Sequence, residues 1–413
     1  MRIAALHLGF FYAGGGERLV LEQVRGLRAL GHDVELFAPI IDRDACYAAL
    51  IDEVGVHALV PRPPAWIPGR VALAVLASCL LAPLLVLRLR RFDVVLAANQ
   101  PSLWIAWVAS LALGTPYVAY LAQPNRVLHP RAVDVEGRSP NLDYRLFSLL
   151  ARALRPLVDW TDRVSVARAS EILANGTYMA SVLHRIYGRV PVPCPAGSHA
   201  VPESGLHADR RRGVVQIGDL VIPKPFVLVT NRHFAVKRFD YAISAIREVP
   251  EAHLVVTGAP TAYTKTMRTL AARTGVSDRT IFTGLVPDET LDLLYREAAV
   301  YVYPAPEEDY GMGIVEAMGR AAPVVAWNVA GPTSTVEDGV SGVLVQPFDQ
   351  AELARTIADL VRDPDRARRL GRAGWQKVGD GLGYDSHCRH LEAALSAAMK
   401  RAWQESGEPV LRR

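Results

Sequence analysis

The chain has 413 residues, half of them hydrophobic and 21% charged, which exceeds one small core and implies two domains. Its 46 Lys and Arg outnumber 42 Asp and Glu only slightly, and no basic stripe is interleaved with aromatics, so a nucleic-acid partner is not expected. Cys46, Cys79, Cys194 and Cys388 show no C-x-x-C spacing, which argues against a disulfide framework or zinc site and for a reducing, cytoplasmic setting.

The opening "MRIAALHLGFFYAGGGERLV" reads as a first strand running into a glycine-rich turn, not as a signal peptide. Further strands are expected at 33–39, 92–99, 116–121, 162–167 and 171–175. These are short apolar runs bounded by Gly, Pro, Asn or Asp, as strands buried on both faces are. Between the first two, Leu19, Val20, Val24, Leu27 and Leu30 recur every three or four residues, and Gly31 stands where a helix stops. That is a β-α-β unit, and repeated units imply a doubly wound α/β domain.

Val71–Leu87 carries no charge over 17 residues and is flanked by Arg70 and by Arg88, Arg90 and Arg91. It reads either as a mostly buried helix or as a helix at a membrane interface with arginines among the headgroups. Its length and Pro83 disfavour a span.

From Arg189 to Pro225 the periodicity fades into a Pro- and Arg-rich connection. A second series of strands follows at 226–231, 252–258, 280–284, 299–304, 322–327 and 342–347, with helices such as "DETLDLLYREA" and "AELARTIADLVRD" between them. The tail from Tyr384 reads as one amphipathic helix.

Three constellations could carry chemistry. Gly14, Gly15 and Gly16 lie between the first strand and the first helix, where backbone can approach a ligand closely, although the spacing is not that of a dinucleotide fingerprint. Arg232 and Lys237 follow a strand that ends near Asn231. They could grip a diphosphate, or be surface cations on a solvated loop, which is what such residues are when taken alone. In "APEEDYGMGIVEAMGRAAPVVAW", Gly311, Met312 and Gly313 open a helix whose first amides can seat an anion. Glu308 precedes that helix and Glu316 lies on it. Apolar flanks make Glu316 look mostly buried and hence in need of a partner.

Together these motifs resemble the retaining family 4 glycosyltransferases of the GT-B fold. The family's E-x7-E pattern is matched by Glu308-Asp309-Tyr310-Gly311 and Glu316-Ala317-Met318, its Arg-x4-Lys pair by Arg232 and Lys237, and its G-G-x-E turn by Gly14, Gly15 and Glu17. "GGGERLVLEQVRGLRALGHDVELFAP" looks most like mannosyltransferases of the Alg2 type.

The resemblance implies two Rossmann-like domains with a cleft between them: an acceptor-binding domain over 1–200 and a nucleotide-sugar domain over 201–383. A closing helix and tail over 384–413 would pack back on the first domain. It implies that Arg232 and Lys237 hold the donor diphosphate, with amides around Gly311, Met312 and Gly313 and the neighbouring Tyr310 nearby. Glu308 would bind the sugar, Glu316 the ribose, and Gly258 and Leu285 the base; no metal or other cofactor is implied. GDP-mannose is the first donor expected and a UDP-sugar the second. The apolar Val71–Leu87 segment and nearby "SLWIAWVASLALG" at 102–114 point for their part to a lipid-linked or glycan acceptor at a membrane surface, with peripheral contact through 71–91. Many relatives place a His where this chain has Gln123, which cannot carry a proton at neutral pH; His129 reads as an ordinary loop residue. An epimerase or phosphorylase on the same fold, or a silent binding subunit, are the rivals. A nicotinamide dehydrogenase is disfavoured because no G-x-G-x-x-G follows a strand.

Overall fold

A computed structural model describes residues 1–61, 64, 66–67, 69–131, 153–206 and 209–406. Among these, the chain divides into two compact units. One runs up to Ala196 and resumes at Tyr384; the other spans Gly197–Gly383.

The first unit holds a seven-stranded parallel sheet of β1 (Arg2–His7), β2 (Asp33–Ala38), β3 (Val56–Ala58), β4 (Val94–Ala98), β5 (Tyr117–Leu121), β6 (Glu171–Ala174) and β7 (Val192–Pro193). Their order is β3-β2-β1-β4-β5-β6-β7. β4 and β5 are buried along their whole length, as strands covered by helices on both faces must be. The helix Gly15–Ala29 turns Leu19, Val20, Val24 and Leu27 inward. It ends where His32 N reaches Leu27 O (3.2 Å) around Gly31 at φ +87°. The strand order reverses at β1, so the turn Gly14–Gly16 stands at a switch point, where open α/β sheets bind ligands.

The segment 162–167 is not a strand. It belongs to a helix, Arg155–Ala167, whose buried Asp162, Ser165 and Val166 follow a helical spacing that the short apolar run concealed. The apolar stretch after Arg70 is broken into a helix Arg70–Leu80, a turn of helix Ala82–Leu85 and a 3-10 turn Val86–Leu89. No helix among the described residues is long and apolar enough to cross a membrane.

The C-terminal helix Tyr384–Ser406 packs on the helix Gly15–Ala29 and on β4 and β5. The approach is close: a Cβ at Gly26 would lie 2.2 Å from Cys388 Sγ. His387 is fully buried beside it. Its Nδ1 sits 2.8 Å from Pro195 O and must donate there, so Nε2 accepts from the Gln23 amide at 3.0 Å. Burial holds the imidazole neutral, bringing its pKa down to about 4.

The second unit begins with an antiparallel hairpin, β8 (Val214–Ile217) and β9 (Leu220–Pro223), inside the stretch expected to be irregular. Gly218, at φ +56°, makes its turn. A six-stranded parallel sheet follows: β10 (Phe226–Thr230), β11 (His253–Thr257), β12 (Thr280–Gly284), β13 (Val300–Tyr303), β14 (Val324–Trp327) and β15 (Val343–Val345). The order is β12-β11-β10-β13-β14-β15. Val227, Val229, Leu254, Val300, Val302 and Trp327 form its core with Leu353 and Ile357 of the helix Gln350–Arg362. The order reverses at β10, which lies between β11 and β13. The loops after β10 and β13 therefore diverge around a crevice at the carboxyl edge of the sheet.

Candidate functional site

That crevice gathers the residues singled out in the second half of the sequence. Lys237 closes a 3-10 turn, Ala235–Lys237, in the loop after β10. Its Nζ lies 2.7 Å from Glu308 Oε2, in the loop after β13. The same oxygen accepts from Tyr303 OH at 2.6 Å. Gly331 N donates to Glu308 O (2.8 Å), and a Cβ on Gly331 would come within 2.4 Å of Tyr310 N, so this loop tolerates only glycine against it.

The loop enters the helix Met312–Met318 through Gly311, at φ +87°, a conformation that favours glycine. A Cβ on Gly313 would stand 2.4 Å from Tyr301 OH, which accounts for the second glycine. Glu316 is partly buried and has the partner that such a position calls for: Tyr295 OH donates to its Oε2 at 3.0 Å. Tyr310 departs from expectation. It is 2% exposed, so its ring belongs to the core and is withdrawn from the open face.

Beneath the glutamates runs a set of tyrosines that the motifs did not reveal. Thr230 Oγ1 meets Tyr301 OH at 2.8 Å and Tyr295 OH at 3.2 Å, while Asn231 Nδ2 approaches Tyr303 OH at 3.5 Å. Burial pushes all three phenols well above the ordinary tyrosine range, so each remains a neutral donor. Two of them could have been found in "AVYVYP": residues two apart on a strand share a face, and Tyr301 and Tyr303 are two apart.

Arg232 is exposed on the same loop as Lys237, its guanidinium 5.1 Å from the Phe234 ring and its amide held by Asn231 Oδ1 at 2.9 Å. His233 beside it points inward. Its Nδ1 meets Thr264 Oγ1 at 2.9 Å and its amide donates to Ala259 O at 3.0 Å, which ties the Arg232 loop to the loop after β11. Burial lowers the His233 pKa, so the ring is neutral and acts as a fastening. Gly258, at φ +134°, ends β11 so close to β10 that a Cβ would fall 1.7 Å from Asn231 O. Leu285 follows β12 and is exposed.

The remaining candidates belong to the first unit, beyond the carboxyl ends of β1 and β5. Gly14 caps the helix Gly15–Ala29, and a Cβ there would lie 2.5 Å from Glu17 Oε2. Glu17 is buried, 3.9 Å from buried His7. Gln123 Oε1 accepts from Arg126 Nε at 3.1 Å, and His129 is a half-buried loop residue. Among the described residues no three His, Cys, Asp or Glu side chains converge as a metal site requires. What the second unit presents is a lysine on one of two carboxylates, each carboxylate set by a neutral phenol, with an exposed arginine on the lysine's loop. Cations of that kind bind phosphate oxygens, and carboxylates accept from the hydroxyls of a sugar.

Comparison with known proteins meets this geometry. Residues 217–377 match the family model described as glycosyl transferases group 1, and residues 13–194 match that of glycosyltransferase family 4. Between them the two models take in most of both units. The chain has the GT-B fold, and each of its halves matches a glycosyltransferase family model. A D-inositol 3-phosphate glycosyltransferase of Streptomyces avermitilis is 30% identical over 315 residues, 72% of this chain and 63% of that protein. A 2-deoxystreptamine glucosyltransferase of Streptomyces kanamyceticus is 29% identical over 62% of this chain and 66% of its own length. The chain thus spans somewhat less than two thirds of these two relatives. Among solved structures, Anabaena HepE in complex with UDP superposes with a TM-score of 0.73 at 19% identity, covering 96% of this chain and all of that one. Sucrose-phosphate synthase from Thermosynechococcus elongatus gives 0.71 at 18% identity over 97% of this chain. At such identities these two structures speak for the fold. The Alg2-type subgroup suggested by the N-terminal segment does not appear among these relatives.

Proposed function

We propose that this chain is a glycosyltransferase that moves a hexose, with retention of anomeric configuration, from a nucleoside diphosphate sugar to a lipid-linked or glycan acceptor at a membrane surface. The observation that carries the reading is the contact of Lys237 and Tyr303 on one oxygen of Glu308, at the switch point of the second sheet. Lys237 can face a phosphate while holding the carboxylate that takes the sugar hydroxyls. Arg232 adds a second cation, and the amides of Met312 and Gly313 further donors, because Ile314 N is already taken by Gly311 O at 2.9 Å. Glu316, set by Tyr295, takes the ribose, and the ends of β11 and β12 at Gly258 and Leu285 take the base.

In the reaction the acceptor oxygen bonds to the anomeric carbon as the bond from that carbon to the phosphate oxygen breaks. The acceptor proton passes to the departing phosphate on the same face. Arg232 and Lys237 stabilise the charge that develops on the leaving diphosphate, a role that needs no metal. Gln123 contacts a sugar hydroxyl and moves no proton. The UDP and UDP-glucose held by the similar HepE structures favour a UDP-sugar over GDP-mannose as donor, while mannose remains the sugar suggested by the N-terminal motif.

A thermal-shift screen of UDP-glucose, UDP-galactose and GDP-mannose identifies the donor, since a ligand bound only by the folded chain raises its Tm. Labelled donor incubated with membrane lipid extract then tests transfer. Nucleotide binding with neither transfer nor donor hydrolysis would make the chain a silent binding subunit. Epimerisation without transfer would make it an epimerase.

A further inference from the structure

The segment after Arg70 is built inside out. Its inner stripe is small or modest until its last turn: Ala74, Ser78, Ala82 and Val86 are buried, with Leu85 and Leu89 packing on the core beyond them, and Ser78 Oγ donates back to Ala74 O at 2.9 Å. Its outer stripe is leucine. Leu73, Leu76, Leu80, Leu84 and Leu87 recur every three or four residues and face outward, with Leu80, Leu84 and Leu87 exposed by 71%, 66% and 61%. A helix packing only against its own domain puts its bulky side chains inward. Here they await something outside the chain.

Two neighbouring features indicate what that is. Trp104 Nε1 donates to Cys79 O (3.1 Å), joining this segment to an aromatic cluster in which the Trp104, Trp107 and Trp160 rings lie 4.9 to 6.0 Å apart. Trp160 is half exposed, and tryptophan favours the boundary between headgroups and acyl chains. At the other end, Leu87 also lines a groove of about 420 Å3 with Arg88, Arg90 and Arg91. Arg88 lies over the Phe37 ring and donates to Ala58 O at 3.0 Å, and Arg91 pairs with Glu35, the groove's one carboxylate, which also faces His57. Arg90 has no hydrogen-bond or ion-pair partner among the described residues. Residues 69–92 contain four arginines and no carboxylate.

We infer that this face docks on an anionic bilayer: the leucine stripe enters the acyl boundary while the arginine groove holds a phosphodiester headgroup. A second copy of the chain is a poorer occupant, because pairing this face with itself would bring the arginines of two copies together, whereas anionic lipid neutralises them. The inference goes beyond the transfer reaction and does not rest on it, since vesicle binding is measured without donor or acceptor.

The test is flotation of the full chain with vesicles of phosphatidylcholine alone or mixed with phosphatidylglycerol. Binding is expected on the mixed vesicles only, and to fall as salt is raised. The double variant Leu80→Gln/Leu84→Gln should bind about tenfold more weakly or worse. Arg90→Gln should bind about fivefold more weakly, the equivalent of about 1 kcal/mol for one basic residue at an anionic surface. These side chains are exposed, and an unchanged Tm shows the fold intact. Equal binding to both vesicle types, no binding to either, or wild-type binding by either variant would overturn the inference. A dimer that dissociates in Leu80→Gln/Leu84→Gln, with no vesicle binding, would assign the face to a second copy instead.

Discussion

Tyr303→Phe isolates the phenol that the motifs did not predict. The ring is 4% exposed and phenylalanine keeps its shape, so no cavity opens and the core is retained. What is lost is the 2.6 Å hydrogen bond to Glu308 Oε2, with the Lys237 contact at that oxygen retained, together with a long 3.5 Å contact from Asn231. A hydrogen bond to a charged group contributes about 1.5–3 kcal/mol. If all of it supports the sugar-binding carboxylate in the transition state, kcat/KM falls about 10- to 150-fold. UDP affinity should change little, because Glu308 is assigned to the sugar and not to the nucleotide. The assay pairs steady-state kinetics on the hexose donor with calorimetric titration of UDP. A folded variant whose kcat/KM stays within about twofold of wild type would refute the role given to Tyr303. An equal loss of UDP affinity would move Glu308 from the sugar to the nucleotide.

Three further outcomes are expected. Glu316→Gln, which keeps an acceptor for Tyr295 but removes the charge, should weaken UDP binding about tenfold by calorimetry with little effect on Tm. Gly258→Ala places a Cβ 1.7 Å from Asn231 O and forces strain at φ +134°; the variant should lose several kcal/mol of stability, on the order of 3 or more, read as a large fall in Tm or loss of soluble protein. His387 makes the first unit acid-sensitive. Its folded pKa of about 4 lies below the ordinary 6.5, so between those values the unfolded chain binds a proton that the folded one refuses. Stability from this group is full above pH 6.5 and is lost as pH falls, by up to about 3 kcal/mol. Tm measured from pH 7 to pH 4 should fall less steeply in His387→Gln than in wild type, and parallel slopes would remove the assignment.

The second sheet was legible because its strands are continuous apolar runs ending in polar or glycine residues, and the side chains that carry chemistry lie just past those ends. Lys237 and Glu308 are 71 residues apart yet meet at 2.7 Å, because β10 and β13 are neighbours in the sheet. Spacing alone could not give that contact; the family resemblance could name its members but not their geometry. Tyr301 and Tyr303 escaped notice because a buried tyrosine in a strand looks like core until its hydroxyl's partner is seen, and Tyr295 because it is a buried residue of the helix Asp288–Glu297. Tyr310 was the converse, a motif residue that turned out to be core. The helix Arg155–Ala167 was mistaken in part for a strand because Val164, Val166 and Ala167 fit either period over so short a window. The β8–β9 hairpin was hidden by the arginine run just before it and by Gly218 and Pro223, which short strands share with loops.

The central claim is that the second unit binds a nucleoside diphosphate sugar through the cations of the loop after β10. Calorimetric titration of UDP-glucose and GDP-mannose into wild type, Arg232→Ala and Lys237→Ala tests it most directly. One donor should bind wild type with a dissociation constant on the order of micromolar to millimolar, and each variant about a hundredfold more weakly while melting within a few degrees of wild type. Wild-type affinity in both folded variants, or no binding of either donor by wild type, would contradict it.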